Sequence, residues 1–282
     1  MLKNLLCYIC FAQIVTMVAV PVLAQDDTQR SISQISGNLY RFQNNFHYSV
    51  FLVTDQGVIA TDPINTEAAQ WLKNEINTRF GQPIKYVIYS HHHADHVSGG
   101  DVFANDGAIV VAHKNTTQSL IDDNVATALP AITFVDSMTL ELGGQQVELT
   151  YLGKNHSDNS IVAYFPEEKT LFAVDFVSTQ RLPYKTISRS YFPEYFEAYE
   201  RLGEMEFEIL APGHGKLGTK QDALEHGEYL THLYQSVKVA VEEGKSLDEI
   251  KQNLTLEKYS EWGQFDAWRE ENIQGIHGYL TN

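Results

Sequence analysis

Three histidines and one aspartate stand close together in the pattern His91-x-His93-x-Asp95-His96. At random, such a pattern is expected about once in a thousand chains of this composition, so chance explains it poorly. Imidazole and carboxylate groups at this spacing suit a borderline divalent cation such as zinc. His91 and His93 alternate by two, so both rings can point the same way from an extended backbone. Asp95 and His96 lie just around the bend and can face a second ion, although a surface histidine cluster or a helix-capping aspartate is the alternative.

Three further side chains are candidates for the same site. His156 lies in the loop-like run GKNHSDN, Asp175 directly follows the apolar run LFAV, and His214 stands in PGHG. Taken singly each signal is weak, because a histidine beside glycine is often an ordinary loop residue and an aspartate after a strand often caps a helix.

Strands and helices alternate along the chain and predict how the first motif is positioned. Residues 38–44 and 48–62 have the composition of hairpin-linked strands, with a tight turn at 55–57. Thr66 to Arg79 has helical spacing with Thr66 as the predicted N-cap, and Ile84 to Tyr89 is a buried strand that runs straight into the motif. The later segments are a strand at 108–112, a helical patch from 115, a β-rich block over 132–172, a strand at 207–210 and helices over 219–243 and 246–254. This mixture predicts a layered α/β or α+β fold, with residues 25–282 as a single domain that ends in helices.

Composition and charge exclude several classes of partner. The chain is 43% apolar and 20% charged, which is typical of a globular protein. Its formal net charge is −16 and it has no run of Lys and Arg, so nucleic acid and anionic lipid surfaces would be repelled. We therefore expect a small-molecule substrate, with no nucleic-acid partner and no membrane association after processing.

The first 24 residues resemble a secretory signal peptide. Lys3 precedes a long apolar stretch that ends in Val22-Leu23-Ala24, and polar residues follow. This predicts a secreted or periplasmic protein, with an uncleaved membrane anchor as the alternative. Both cysteines, Cys7 and Cys10, lie inside this segment. Any metal bound by the mature chain must therefore be held by histidines and carboxylates.

The order of these motifs resembles the metallo-β-lactamase superfamily over roughly residues 35–220. That resemblance implies an α+β fold, a four-layer αββα sandwich, with two metal ions at one sheet edge, usually Zn²⁺, with Fe or Mn as alternatives. It also implies the ligand sets: His91, His93 and His156 for the first metal, Asp95, His96 and His214 for the second, and Asp175 bridging both. Asp62, in the run Thr61-Asp62-Pro63, matches the acidic residue that supports the histidine loop from behind the ligands.

Within the superfamily, the stretch from His156 to Asp175 is similar to the class B1 β-lactamases. Those enzymes have a cysteine at the position of Asp175, an arginine at that of His96 and a lysine at that of Ser178. Asp175 together with His96 resembles the dinuclear site of the glyoxalase II and lactonase branches. The chain is therefore expected to be a zinc-dependent metallohydrolase, with a genuine β-lactamase as an alternative.

A dinuclear site of this kind implies a reaction. Two cations that share a water lower its pKa and supply hydroxide as nucleophile, and Asp95 is the predicted catalytic acceptor of the water's proton. The expected substrate is a lactone, thioester or cyclic amide. The rival hypotheses are an iron-dependent redox enzyme on the same fold, a phosphodiesterase or nuclease, which the charge disfavours, and a binding module, which would be expected to lack a ligand.

The segment that follows Asp175 is expected at the metal-bearing edge. It carries Arg181, Lys185 and Arg189, one of which is predicted to bind a carboxylate on the substrate, with solvated loop charges as the alternative. His47 could lie near the groove, but an ordinary core or surface position is expected. For Trp262, Phe265 and Trp268 in the C-terminal tail, packing against the sandwich is the default.

Overall fold

Two β-sheets lie face to face, and helices cover the outer side of each. The computed structural model describes residues 28–187 and 190–281. The predicted signal peptide and Arg189 lie outside the described residues. The strands are β1 (Arg30–Ser36), β2 (Leu39–Asn44), β3 (His47–Thr54), β4 (Gly57–Thr61), β5 (Ile84–Ile88), β6 (Ile109–His113), β7 (Ile132–Phe134), β8 (Ser137–Leu142), β9 (Gln145–Tyr151), β10 (Ile161–Phe165), β11 (Thr170–Ala173), β12 (Ile209–Pro212) and β13 (Gly218–Thr219). The helices are α1 (Thr66–Phe80), α2 (Ala94–Val97), α3 (Gly100–Ala104), α4 (Lys114–Asp122), α5 (Glu194–Glu204), α6 (Lys220–Glu242), α7 (Leu247–Asn253) and α8 (Phe265–Thr281).

The first sheet follows chain order, β1 to β7, and the second has the order β13-β12-β11-β10-β9-β8. Side-chain alternation along the strands explains why the two sheets stack. Val50 and Leu52 of β3 point into the core between the sheets, where Val147 and Leu149 of β9 meet them. Phe51, between the two inward residues of β3, points the other way and packs in the cluster under α1.

The helices form the two outer layers. The first sheet is covered by α1, whose buried Ala68, Ala69, Leu72 and Ile76 lie in one cluster with strand residues. The outer face of the second sheet is covered by α5, α6 and α8. This arrangement confirms the predicted four-layer αββα sandwich. Among the described residues, no helix has both the length and the apolar character needed to cross a membrane.

Several boundaries differ from the sequence-based prediction. The N-cap of α1 is Asn65 rather than Thr66, because the Asn65 side chain accepts the hydrogen bond from the backbone N–H of Ala68 at 2.9 Å. The late strand is β12 at Ile209–Pro212, two residues further along the chain than predicted. Strand β1 and helix α5 were not predicted.

A buried histidine in the outer helical layer makes stability depend on pH. His226 of α6 is 1% exposed, and its Nδ1 is hydrogen-bonded to the Tyr199 hydroxyl at 2.5 Å. Burial, with a smaller effect of Arg181, lowers the pKa of His226 to about 3. Since an unfolded histidine titrates near 6.5, the stability that the neutral ring contributes is complete above about pH 6.5 and is lost as pH falls toward 3.

We therefore expect His226→Gln to flatten the pH dependence of unfolding. Between pH 7 and pH 5 the native chain should lose about 2 kcal/mol more unfolding free energy than the variant, since one proton contributes about 1.4 kcal/mol per pH unit below 6.5. Urea unfolding in the presence of EDTA at both pH values measures this. Equal losses in the two proteins would contradict the assignment.

Candidate metal centre

The first sheet supplies four of the candidate ligands. Strand β5 ends at Ile88, and His91 and His93 lie in the loop that follows. His93 is the N-cap of α2, and the single turn of that helix presents Asp95 and His96. Because β4 and β5 are parallel, Asp62 at the end of β4 lies beside this loop.

The second sheet supplies the other three. His156 lies in the connection between β9 and β10, Asp175 follows β11, and His214 follows β12. Strands β11 and β12 are parallel, so Asp175 and His214 emerge at the same edge. Asp175 has a φ of 61°, a left-handed conformation that aspartate tolerates better than most residues.

The conformation at Asp175 is supported by helix α5. The next carbonyl, that of Phe176, accepts hydrogen bonds from the Tyr195 hydroxyl at 3.0 Å and the Tyr199 hydroxyl at 2.6 Å. Both tyrosines are buried. The outer helical layer therefore fixes the backbone that carries this carboxylate.

Two groups of side chains converge on Asp175. The first consists of His91, His93, His156 and Asp175, whose candidate ligand atoms all lie within 4.8 Å of one another. In this group Nε2 of His156 lies 3.0 Å from Nδ1 of His93 and 3.5 Å from Oδ2 of Asp175. The same Asp175 oxygen, Oδ2, lies 3.6 Å from Nε2 of His91.

The second group consists of Asp95, His96, Asp175 and His214, also within 4.8 Å. Nε2 of His96 lies 3.3 Å from Oδ2 of Asp175 and 3.6 Å from Oδ2 of Asp95. Nε2 of His214 lies 3.2 Å from the other Asp175 oxygen, Oδ1. The structure thus brings together all seven side chains that the sequence and the resemblance predict, and their role as ligands stays a prediction.

The chemistry of both groups fits metal ions. With ligands at about 2.1 Å from a tetrahedral ion, neighbouring ligand atoms lie about 3.4 Å apart, close to the distances found here. Nε2 of His91 and Nε2 of His96 are buried without a hydrogen-bond partner. Buried ring nitrogens normally have a partner, so one unpartnered nitrogen in each group fits a cation bound beside it. Nitrogen and oxygen ligands suit zinc and also iron or manganese.

Electrostatics keeps the first group in the state that metal binding requires. Burial lowers the pKa of His93 to about 3 and lowers the pKa of His91 well below its ordinary value, and neighbouring histidines add to both effects. Burial likewise lowers the pKa of His156. These rings are therefore neutral at pH 7, with lone pairs free for a cation.

The second group shows the opposite balance. Burial opposes the charge on Asp175, but His96 and His214 outweigh it and hold the pKa of this carboxyl well below its ordinary value. For His96, burial is likewise outweighed by Asp175 and Asp62, which raise its pKa well above the ordinary value. Without metal, a proton on His96 thus compensates the Asp175 carboxylate, and a cation would displace that proton.

Asp62 is fully buried and contacts two points of the segment that follows β5, at Ser90 and at His96. Its Oδ1 accepts a hydrogen bond from the backbone N–H of Ser90 at 2.8 Å, and its Oδ2 accepts one from the Ser90 hydroxyl at 2.7 Å. Oδ2 also lies 3.3 Å from Nδ1 of His96. Ser90 Oγ is in turn 2.9 Å from Nδ1 of His91. One carboxylate therefore orients one ring from each ligand group.

Replacing Asp62 by alanine should lower both metal affinity and stability. We expect metal affinity to fall about 10–100-fold, the typical effect of losing a residue that orients a ligand histidine. The unfolding free energy should fall by about 2–4 kcal/mol, because Ser90 loses its acceptor and His96 its counter-charge. Metal titration and urea unfolding measure the two effects. Unchanged metal affinity with lowered stability would limit Asp62 to a role in folding.

His47 belongs to the site, so its expected core or surface placement was wrong. Its Nε2 lies 3.2 Å from Oδ2 of Asp95, and its ring centre lies 4.7 Å from that of His214. The reason is long-range pairing, since the backbone N–H of Tyr48 donates to the Gly213 carbonyl at 2.8 Å. The residues next to His47 in the sequence do not predict this contact.

A cavity of about 300 Å³ opens beside the second ligand group. Arg181 lines it, together with the exposed rings of Phe46 and Tyr184. Lys185, a second predicted substrate contact, does not line this cavity, and its ammonium lies in solvent, 5.1 Å from the Tyr184 ring centre. Another cavity, of about 450 Å³, is lined by His93 and His156 of the first group. Each of the two groups therefore has a cavity beside it.

Sequence comparison places these features in a family. The family model described as the metallo-beta-lactamase superfamily matches residues 60–214. The chain is 30% identical over 156 residues to metallo-beta-lactamase type 2 of Elizabethkingia meningoseptica. The aligned region is 52% of this chain and 62% of that protein. It is 26% identical over 184 residues to 2,4-dinitroanisole O-demethylase subunit alpha of Nocardioides sp., and this aligned region is 64% of this chain and 56% of that protein. The chain thus spans less than two thirds of either relative.

Solved structures agree on the fold. A metallo-beta-lactamase from Pontibacter korlensis superposes with a TM-score of 0.66 at 22% identity, over 71% of this chain and 99% of that one. The DIM-1 metallo-beta-lactamase superposes with a TM-score of 0.63 at 19% identity, over 72% of this chain and 97% of the other. At these identities the likeness concerns the fold alone. Because the family model covers more than half of a chain that also has this fold, the protein belongs to the metallo-beta-lactamase superfamily.

Proposed function

We propose that this superfamily hydrolase uses two zinc ions and cleaves an activated carboxylic derivative, namely a lactone, a thioester or a cyclic amide. The observation that carries the proposal is the sharing of Asp175 by two four-residue groups, each within 4.8 Å. When bound, such a pair of cations would make a water nucleophilic at neutral pH and polarise a carbonyl.

Other functions, namely proton transfer, orientation of the proton acceptor and substrate contact, are assigned to the chain's own residues. Asp95 has its pKa lowered to about 2, where the hydrogen bond from His47 and the charge of His96 outweigh burial, so it is ionised at neutral pH and can accept a proton from the attacking water. Nε2 of His47, 3.2 Å from Oδ2 of Asp95, can donate to this carboxylate and hold its orientation. The exposed aromatic rings of Phe46 and Tyr184 line the cavity and offer surface to an apolar group of the substrate.

β-Lactam hydrolysis is the second candidate, supported by the relative named a metallo-beta-lactamase at 30% identity. The residues at three positions favour the first candidate. Asp175, His96 and Ser178 stand where the class B1 enzymes have cysteine, arginine and lysine. The relative named for demethylation of 2,4-dinitroanisole acts on an aromatic compound, which fits a cavity flanked by Phe46 and Tyr184.

We also propose that the protein is exported to the periplasm or secreted, on the strength of the signal-like residues 1–24. Its partner would be a small molecule, since the net charge of −16 disfavours nucleic acid.

Metal analysis followed by a substrate screen tests the proposal. The full chain is expressed with its leader, purified from the periplasm, and analysed for metals by mass spectrometry. It is then assayed with lactones, thioesters and β-lactams and for oxygen uptake. We expect about two zinc ions per chain and turnover of a lactone or thioester. Turnover restricted to β-lactams would favour the second candidate, and iron with oxygen uptake would favour a redox enzyme. Two zinc ions without any turnover would overturn the proposed reaction class.

A further inference from the structure

Arg181 is the only lysine or arginine among the described residues that line the cavity beside the second ligand group. Within the part of the chain that the structure describes, no carboxylate forms an ion pair with it. Burial lowers the pKa of this guanidinium, and the charge of Asp175 partly offsets the effect. Arginine remains a cation in proteins all the same. A partly buried cation that has no carboxylate in direct contact is costly, and the more distant Asp175 compensates it only in part, so the site favours an anion that arrives with a ligand.

The guanidinium is held in place by the C-terminal segment. Its central carbon lies 4.6 Å from the ring centre of Trp268, on α8. The backbone of Arg181 also bridges to Gly263, with the Leu182 N–H donating to the Gly263 carbonyl at 3.0 Å. Stacking on an aromatic face leaves the N–H edge of arginine free to form two parallel hydrogen bonds with a carboxylate.

Helix α8 also fixes the loop of residues 181–187. Asn272, which is fully buried, donates from Nδ2 to the carbonyls of Pro183 at 3.0 Å and Lys185 at 2.5 Å. Its Oδ1 accepts from the Tyr229 hydroxyl at 2.7 Å. At Gly275 the helix backbone comes so close that any β-carbon would collide with the Thr186 carbonyl. The loop that carries Arg181 is thus shaped by a helix that lies beyond the family match, which ends at residue 214.

We propose that Arg181 binds a carboxylate on the substrate and that α8 is the element that sets this specificity. The inference rests on the proposed hydrolase function. It narrows the substrate class to molecules that carry a carboxylate near the scissile carbonyl. Lys185, on the same loop but outside the cavity, takes no part.

Two esters with the same leaving group test this. Mono-4-nitrophenyl succinate and 4-nitrophenyl butyrate differ mainly in whether the acyl chain ends in a carboxylate or a methyl group. For the native enzyme we expect kcat/KM to favour the succinate ester at least about tenfold. Arg181→Ala should raise KM for the succinate ester about 10–100-fold and leave the butyrate ester and the metal content unchanged. Arg181→Lys should restore part of the preference, and the control Lys185→Ala should keep all of it.

Gly275→Ala tests the role of α8, since it displaces the loop without touching the cavity. We expect a reduced preference for the succinate ester with unchanged metal content. If Gly275→Ala does not fold, Trp268→Leu, which removes the stacking surface, takes its place. A preference that is fully kept in the folded variant would remove α8 from the proposal.

A binding measurement separates this inference from the reaction itself. The corresponding amides, the mono-4-nitroanilide of succinate and the 4-nitroanilide of butyrate, are titrated into the zinc-loaded protein, and their binding is measured by isothermal calorimetry. If no ester is hydrolysed but the succinate anilide binds more tightly, and Arg181→Ala abolishes the difference, the carboxylate site stands and the proposed reaction fails. If the native protein has no preference in either assay, or if Arg181→Ala keeps it, the carboxylate site is overturned.

Discussion

Asp175→Ala should remove both metal ions together and abolish hydrolysis. This carboxylate is the one side chain common to the two ligand groups, with one oxygen near His91, His96 and His156 and the other near His214. We expect kcat/KM to fall about a thousandfold or more, well beyond the 10–100-fold typical of residues that only support a ligand. Metal content per chain after dialysis and kcat/KM on the best substrate of the screen measure the two effects.

Asp106→Ala is the matched control. Its carboxylate forms a surface ion pair with Lys73 at 2.7 Å and lies away from both ligand groups. It should keep metal content and activity, because an exposed pair contributes at most about 1 kcal/mol to stability. Retention of both ions by Asp175→Ala would show that the carboxylate does not bridge them.

Removal of metal should destabilise the whole protein as well as stop turnover. A ligand present at a thousand times its dissociation constant stabilises the native state by about 4 kcal/mol. For a domain of roughly this size, each kcal/mol shifts Tm by about 2–4 °C, so a strong chelator should lower Tm by about 10 °C. Thermal unfolding by circular dichroism, with and without dipicolinate, measures the shift.

Restoring single metals to the stripped protein identifies the working ion. Zinc should restore both Tm and hydrolysis, whereas recovery with iron alone would favour the redox alternative. Equal Tm values before and after complete stripping would mean that the seven side chains do not hold a metal in the native state.

The first half of the site could be predicted from residues near one another in the chain. The motif from His91 to His96 follows a strand that its apolar composition makes recognisable, and the structure places β5 there. His156, Asp175 and His214 are each weak as local signals. What joins them is the parallel pairing of β11 with β12 and the stacking of two sheets, which only the resemblance to a known family could supply.

Side-chain placement in loops could not be predicted in this way. Arg181 and Lys185 are both basic residues of one loop, and the sequence does not distinguish them. In the structure α8 holds Arg181 at the cavity, whereas Lys185 lies in solvent. His47 reaches Asp95 only through pairing of its hairpin with the loop of His214. Helix α5, in contrast, does have a readable signal, the helical spacing of its buried residues Tyr195, Ala198, Tyr199 and Leu202.

The candidate ligands come from both halves of the sandwich: four from the segment after β5 in one sheet and three from loops of the other sheet. Bound ions would therefore tie the two sheets together at this edge, where the core between them meets solvent. Residues 28–281 contain no cysteine, so that reversible cross-link would take the place of a disulfide. Parting of the layers at the rim and release of the ions would then be one and the same event.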